Sequence, residues 1–562
     1  LTRIRPALHG LIDGILTRGS SAATALRVLA GTGVVRPYSP VTLARLAAVL
    51  HAWGTGPAGG FATLALRQPE AVGVVDELGT LTWREVHGRS NALARALAER
   101  GIHEGHAVAV LCRNHRGFLD ATLAAQKLGA DVLYLNTAFA GPQLRDVLER
   151  ERPKLVVHDQ EFDDLLADAL DGPDHPLRLV AWTDTAVAAE TLEDLMGRHS
   201  ARDLRPPSRR GRLVILTSGT TGTPKGAPRD EAGVDAAISL LSRLPIRAGQ
   251  RTYVAAPLFH TWGLAHLLLA MLLGTPLVLR RRFDPEDALR TITVERAEVF
   301  AVIPVMLQRI LALPDETRAA YDLSGLEVVA SSGSALPGDL AIGWMDEFGD
   351  NLYNVYGSTE VAYASIATPE DLRAAPTSAG RPPWGTVVRV LDPSGAEVAA
   401  GETGRIFVGN TLLFEGYTGG GHKEVVDGLM STGDLGRFGA DGRLYVEGRD
   451  DEMIVSGGEN VFPREVEDCL ARHPGVLEAA AVGVDDPDIG TRLRAFVVAA
   501  EPSAGVTDED LKDWVRHNLA RYKVPREIVL LPELPRNATG KVLKRELAAW
   551  DRAQGSEEQE SR

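Results

Sequence analysis

Leu216-Thr-Ser-Gly-Thr-Thr-Gly-Thr-Pro-Lys-Gly226 is the stretch on which the reading of the fold turns. A β-branched run, Arg212–Thr217, leads into a loop of glycines and hydroxyl side chains that closes on a single lysine. Backbone N–H groups in such a loop, helped by hydroxyls, can cradle phosphate oxygens, and Lys225 adds a movable positive charge. The pattern is not a Walker A loop, which needs Gly-Lys-Ser/Thr; here Gly226 follows the lysine. A strand that empties into an anion-binding loop belongs to layered α/β architecture, where ligand loops gather at the carboxyl ends of the strands.

The flanking sequence repeats that theme. Ala107–Leu111 reads as a buried strand, Arg116–Leu128 as an amphipathic helix and Asp131–Leu135 as the next strand. Strand signals recur at Lys154–His158, Leu179–Trp182, Glu298–Ile303, Leu326–Ala330 and Leu352–Val355, with Pro304 and Pro337 placed to open helices. Beyond about residue 386 the strands shorten and gain glycine turns, as in Gly404–Gly409 and Arg443–Val446, which predicts a small β-rich section. After Gly448-Arg449-Asp450-Asp451 come a proline-led helix over Pro463–Arg472, strands near 477–484 and 493–500, and a helix opened by a Thr507/Asp510 capping box. The expected domains are a helical extension over 1–59, a large α/β domain over 60–449, a small mobile α+β domain over 450–552, and a polar tail over 553–562.

Composition narrows the function. At 562 residues the chain exceeds what one core supports. A formal charge of −15 repels polyanions at long range, so no nucleic-acid partner is expected, although local loops can still capture small anions. Cys112 and Cys469 stand far apart, outside any disulfide framework or zinc spacing, which fits a cytoplasmic setting. Leu264–Leu279 is too interrupted, by His266 and the Gly274-Thr275-Pro276 break, to span a membrane. Residues 7–16 read as an amphipathic helix packed on the protein, with a peripheral contact at the inner face of a membrane as the alternative.

Three further motifs follow the lysine loop in order: Tyr353-Asn-Val-Tyr-Gly-Ser-Thr-Glu360, then Ser431-Thr-Gly-Asp-Leu-Gly436 with Gly448-Arg449, and finally Pro535-Arg-Asn-Ala-Thr-Gly-Lys541. A carboxylate at a loop end suits a hard cation bridging phosphates, and Asp434 can accept from two hydroxyls. Together these motifs resemble the adenylate-forming superfamily of acyl-CoA synthetases, luciferases and peptide-synthetase adenylation domains, bacterial fatty-acid–CoA ligases most of all. The resemblance covers about residues 60–548 and implies a large N-terminal domain of two α/β subdomains plus a small β-barrel, a small mobile α+β C-terminal domain, and ATP, Mg²⁺ and coenzyme A as cofactors and co-substrates. It assigns the phosphate loop to Thr217, Ser218, Gly219, Thr220, Thr221, Gly222 and Lys225, with Thr220 among the catalytic groups. It gives Tyr356 to the adenine, Thr359 to phosphate, Glu360 to Mg²⁺, Asp434 to the ribose hydroxyls and Arg449 to the ribose or phosphate, with Gly357 and Ser358 also among the cofactor-binding residues. Lys541 is the lysine that a mobile loop carries in for adenylation. Asp451 matches the hinge, and Gly457 and Gly458 the narrow passage for pantetheine.

The acid is read from Pro257-Leu-Phe-His-Thr-Trp-Gly-Leu264. Peptide-synthetase domains carry an Asp after the Phe to hold an amino group; this chain has Phe259-His260, so a substrate without an α-ammonium fits. By resemblance His260 lies between the acyl pocket and the CoA tunnel, while Trp262 reads equally as pocket wall or core. Residues near Val302–Met306 and Ser332-Gly333-Ser334 form the pocket wall, with Gly333 and Ser334 also facing the nucleotide. An apolar pocket gains about 0.8 kcal/mol per buried CH₂, which favours aliphatic or aromatic acids. The expected function is a medium- or long-chain fatty acid–CoA ligase. Alternatives are an acyl-AMP ligase loading a carrier protein, an aryl-CoA ligase, a luciferase-like oxygenase, and a non-catalytic metabolite sensor. A homodimer is left open.

Three weaker patterns are set aside. Gly54-Thr-Gly-Pro-Ala-Gly59 matches a dinucleotide fingerprint but follows a helical pattern. Arg280-Arg281-Arg282 reads as a solvated strand end before it reads as a CoA-phosphate contact. His260 and His266 lack zinc-ligand spacing.

Overall fold

The computed structural model describes residues 23–170, 175–186, 188–217, 225–229, 234–414, 416–417, 422–450, 454–456, 459–486, 490–500, 505–519, 523–537 and 540–550. Two α/β sheets make the large domain. The first has six strands, in the order Leu177–Trp182, Leu155–Asp159, Ala107–Leu111, Asp131–Tyr134, Leu213–Thr217, Lys225–Arg229. The second has eight strands, in which Leu352–Tyr356, Val328–Ser331, Val299–Val302, Thr252–Val254, Leu277–Leu279 and Val72–Asp76 are parallel neighbours. The strands are near-continuous Val, Ile and Leu runs because helices bury both faces. Val108, Val110, Val132 and Leu155 of the first sheet, and Val299, Phe300, Val328 and Val329 of the second, are fully buried.

One departure from simple alternation matters for the site. The phosphate-loop strand Leu213–Thr217 turns back into Lys225–Arg229 and pairs with it antiparallel, Thr217 opposite Lys225. The loop therefore joins two strands of one hairpin rather than a strand and a helix.

The predicted break in Leu264–Leu279 is present. Thr261–Leu273 is helical, Gly274 takes the left-handed conformation at φ 66° as its C-cap, and Leu277–Leu279 is a strand. Among the described residues no helix is long and apolar enough to cross a membrane. The glycine pattern at 54–59 joins two helices, Pro40–Trp53 and Pro57–Arg67, so no strand precedes it.

The small β-rich section read from the sequence, the barrel of the implied architecture, takes the form of a five-stranded antiparallel sheet. Its longest strand, Leu429–Phe438, is bulged and pairs with Gly404–Gly409 and Leu444–Arg449. A separate small domain follows. Val476–Asp486 and Gly490–Ala499 form its long antiparallel ribbon, and Pro463–Ala471 and Asp508–Asn518 pack on one face. The Thr507/Asp510 capping box is formed, with Thr507 Oγ1 accepting from the Asp510 N–H. The fold is thus α/β, a large N-terminal domain with a small C-terminal one.

Candidate active site

One cavity of about 1950 Å³ lies between the large domain and the C-terminal domain. His260, Gly333, Ser334, Tyr356, Gly357, Ser358, Thr359, Glu360, Asp434, Arg449 and Lys541 all line it. Residues from four widely separated motifs therefore converge. The remaining candidates are outside what can be placed: Ser218, Gly219, Thr220, Thr221, Gly222, Asp451, Gly457 and Gly458 lie outside the described residues, and Thr217 and Lys225 are described only as strand backbone.

Tyr356 is the last residue of its strand, at the carboxyl end of the eight-stranded sheet. Its hydroxyl donates to Asp434 Oδ2 at 2.5 Å, and Arg449 Nη1 lies 3.3 Å from Oδ1. Asp434 and Arg449 stand opposite each other across one strand pair, which fixes both side chains on the same side. Burial pushes the Asp434 carboxyl up from its ordinary value, opposed by Tyr356, Arg449 and Lys541. Burial and the neighbouring Asp434 push the Tyr356 phenol up as well, so it stays a donor. The sequence reading gave Tyr356 an aromatic face for adenine; the structure adds that its hydroxyl clamps the Asp434 carboxylate.

The turn after Tyr356 is tight. A Cβ on Gly357 would stand 2.1 Å from the Ala362 carbonyl oxygen, so no other residue fits there. Ala362 itself sits at φ 61°, a left-handed conformation that an alanine rarely adopts. Asn410 Nδ2 holds the turn by donating to the carbonyls of Val361 and Tyr363 at 2.8 and 3.1 Å. Ser358 Oγ accepts from the Glu360 N–H at 3.2 Å.

Glu360 Oε1 accepts from the Tyr417 hydroxyl at 2.7 Å. Tyr417 was not singled out from sequence. Burial and the adjoining Glu360 push its phenol up, which keeps the proton on the tyrosine. A carboxylate oriented by a phenol at a loop end is a donor set suited to a hard divalent cation. Thr359 Oγ1 lies 3.4 Å from Thr261 Oγ1, at the start of the helix that His260 caps.

His260 is half-buried against Phe259, and its buried Nε2 has no hydrogen-bond partner among the described residues. Burial lowers its pKa to about 4, so the ring faces the cavity neutral at working pH. Trp262 packs in the core and also lines the cavity, its Nε1 donating to the Val302 carbonyl at 3.1 Å. Gly333, at φ 99°, lies against Ile303, and Ser332 Oγ donates to the Val355 carbonyl.

Lys541 comes from the small domain on a turn held by Asn537, whose Oδ1 accepts from the Lys541 N–H at 2.9 Å. The turn reaches the large domain at Gly540, where a Cβ would stand 2.6 Å from Val305 Cγ1. A second bridge runs from Gln308 Nε2 to the Leu477 carbonyl at 3.0 Å. In this orientation the Lys541 ammonium acts on the Asp434 carboxylate.

Two patterns outside the cavity were not legible from sequence. Arg281 is not a solvated strand end: it pairs with Glu161 and Asp184 and stacks over Trp182. Cys112, His115 and Asp159 place their donor atoms within 4.8 Å of one another. Their groups are occupied, since His115 Nε2 meets Asp159 Oδ1 at 2.7 Å and Nδ1 accepts from the Gly117 N–H. Asp159 Oδ2 accepts from the Arg113 N–H, so the trio reads as a core network.

A family model described as AMP-binding enzyme matches residues 61–418, and its C-terminal domain model matches 465–541. The chain belongs to the AMP-binding enzymes. A feruloyl-CoA synthase from Amycolatopsis sp. is 33% identical over 494 residues, covering 86% of this chain and 96% of that protein. A 2-succinylbenzoate–CoA ligase from Geobacillus kaustophilus is 34% identical over 489 residues, with 86% and 96% covered. Among solved structures, an anthranilate CoA ligase in complex with anthranoyl-AMP superposes with a TM-score of 0.78 at 26% identity, covering 87% of this chain and 96% of that one. As an AMP-binding enzyme of the adenylate-forming CoA ligase kind, the chain joins an acid to coenzyme A at the expense of ATP, with Mg²⁺ as cofactor.

Proposed function

We propose that the chain ligates coenzyme A to an aromatic, largely apolar monocarboxylic acid. The observation that carries this reading is the wall beside His260. Ala237, Leu240, Ala265, Ile303 and Tyr363 line it, and none offers a charge to a second carboxylate or an ammonium. Relatives acting on ferulate, succinylbenzoate and anthranilate support an aryl acid over the fatty acid expected from sequence. A fatty acid is the second reading, favoured by the continuation of the same cavity along Leu264, Leu268 and Leu272.

In this proposal the acid lies in the apolar arm with its carboxylate at His260 Nε2, whose neutral ring removes any ion-pair trap. Asp434, fixed by Tyr356 and Arg449, accepts from the ribose hydroxyls. Glu360, oriented by Tyr417, holds Mg²⁺, which supplies charge neutralisation on the phosphates when bound. As the carboxylate oxygen bonds to the α-phosphorus and the bond to pyrophosphate breaks, Lys541 offsets the charge that builds on the phosphoryl oxygens. The CoA sulfur then bonds to the acyl carbon, and the acyl C–O bond to AMP breaks. Both steps rest on positioning and electrostatics.

A panel of ferulate, anthranilate, benzoate, decanoate and palmitate, scored for pyrophosphate and thioester with and without CoA, tests the proposal. An aromatic acid is expected to give thioester and AMP in equal amounts. Turnover with decanoate or palmitate alone would favour the second reading, and pyrophosphate without thioester would move the acceptor to a carrier protein.

A further inference from the structure

The N-terminal helices present an apolar, basic face to the outside. Residues 23–31 form a helix that is anchored by Val28 and Val34 against the core of the eight-stranded sheet and by the Ala248 N–H to the Thr32 carbonyl. The next helix, Pro40–Trp53, buries no residue fully. Its half-buried positions are Thr42, Leu46, Val49 and Trp53, one stripe at helical spacing. On the exposed arc stand Val41, Leu43, Leu50 and four alanines, with Arg45 and His51 as the polar members. Of the twelve large apolar side chains exposed among the described residues, five lie between 26 and 50: Leu26, Val35, Val41, Leu43 and Leu50. A surface helix of a water-facing protein has its polarity arranged the other way round.

Charge sharpens the choice of occupant. Between Asp13 and Glu70 the sequence has five arginines and no acidic residue, in a chain whose formal charge is −15. Arg27, Arg36 and Arg45 belong to the described segment. Exposed apolar side chains interleaved with arginines, free of carboxylates, complement an anionic lipid surface, and a helix of 14 residues lies in that surface rather than crossing it.

The face also borders the cavity. Leu46 and Leu50 line the same cavity as His260, which continues past Gly60 and Met271 along the Ala265, Leu268 and Leu272 stripe. Arg67, at the edge of this passage, donates to the Met271 and Leu272 carbonyls and closes the end of that helix.

We infer that the outer face of residues 23–54 docks on an anionic lipid bilayer and that an apolar acid dissolved in the membrane enters the cavity beneath Leu46 and Leu50. The entry route rests on the acid–CoA ligase reading; the docking does not. The test sediments the full chain with vesicles of phosphatidylcholine alone or with about one third phosphatidylglycerol. The wild type is expected to sediment with the anionic vesicles, weakly with neutral ones, and less as salt rises. Replacing Arg27, Arg36 and Arg45 with Gln should lower partitioning on the order of fivefold per arginine, and Val41→Ser with Leu43→Ser by about tenfold. Circular dichroism and pyrophosphate release from a water-soluble acid should be unchanged in these variants. Absence of sedimentation, equal binding to both vesicles, or binding untouched by either variant would overturn the inference. So would light scattering that shows a dimer abolished by Val41→Ser/Leu43→Ser, because a second copy would then cover the face. The vesicle assay needs no substrate, so its failure leaves the ligase reading standing.

Discussion

The two halves of the cavity are built differently. On the large domain, Tyr356, Asp434, Arg449, Glu360 and Tyr417 are locked by side-chain hydrogen bonds, and the turn behind them is braced by Asn410. The small domain contributes Lys541, itself exposed, on a turn that meets the large domain at Gly540 against Val305, with Gln308 Nε2 bridging to the Leu477 carbonyl nearby. One half is prepared before substrate arrives, while the other rests on a thin seam. Under the proposed function Lys541 serves one half-reaction, and a seam of few contacts among the described residues suits a small domain that turns away between steps.

Removing Lys541 breaks the comparison most sharply. Lys541→Ala is expected to cost on the order of 10²–10³ in pyrophosphate release, yet to spare thioester formation from supplied acyl-adenylate. Equal loss in both assays would mean that the lysine is not confined to one orientation. Next in size, Gly540→Val would clash with Val305 and carry a side chain where φ is 75°. Adenylation should fall by about tenfold, with partial rescue by Val305→Ala, since contacting residues couple. Failure of the rescue would place the defect in the turn itself.

Smaller effects belong to the prepared half. Tyr417→Phe removes the hydrogen bond that orients Glu360. The Mg²⁺ concentration for half-maximal rate should rise about tenfold, the scale expected for losing a residue that orients a metal ligand. An unchanged Mg²⁺ titration would detach Tyr417 from the metal. Smallest is a stability effect. Burial holds His260 and His266 at about 4, below the ordinary histidine value, so the unfolded chain binds more protons between pH 4 and 6.5. Stability is therefore full above pH 6.5 and is lost as pH falls toward 4, by at most roughly 3 kcal/mol per histidine. His266→Leu should narrow the difference between urea midpoints at pH 7.5 and pH 5. An equal pH difference in both proteins would show that the ring is not buried neutral.

Much of the fold was legible because strands buried on both faces must be continuous apolar runs, and the predicted strands recur within one to three residues. The hairpin return at Lys225–Arg229 was not legible, because Pro228 and Arg229 give no strand signal without a partner. The site residues were read from motif order, but Tyr417 was invisible as a partner of Glu360: the two stand 57 positions apart. Arg281 was read as solvated because its partners, Glu161 and Asp184, are brought to it by the other sheet.

By itself, the sequence determined the alternation of elements, the caps and breaks at Gly274 and Thr507, and the types of side chain available for phosphate, ribose and metal. These are local matters, set by periodicity and by what each residue can donate or accept. Only the tertiary structure decided which of those groups share one cavity, that His260 is neutral, that Glu360 has a phenol beside it, and that an apolar helix face is left outward. Each depends on burial and on contacts between residues far apart in the chain, which no local pattern encodes.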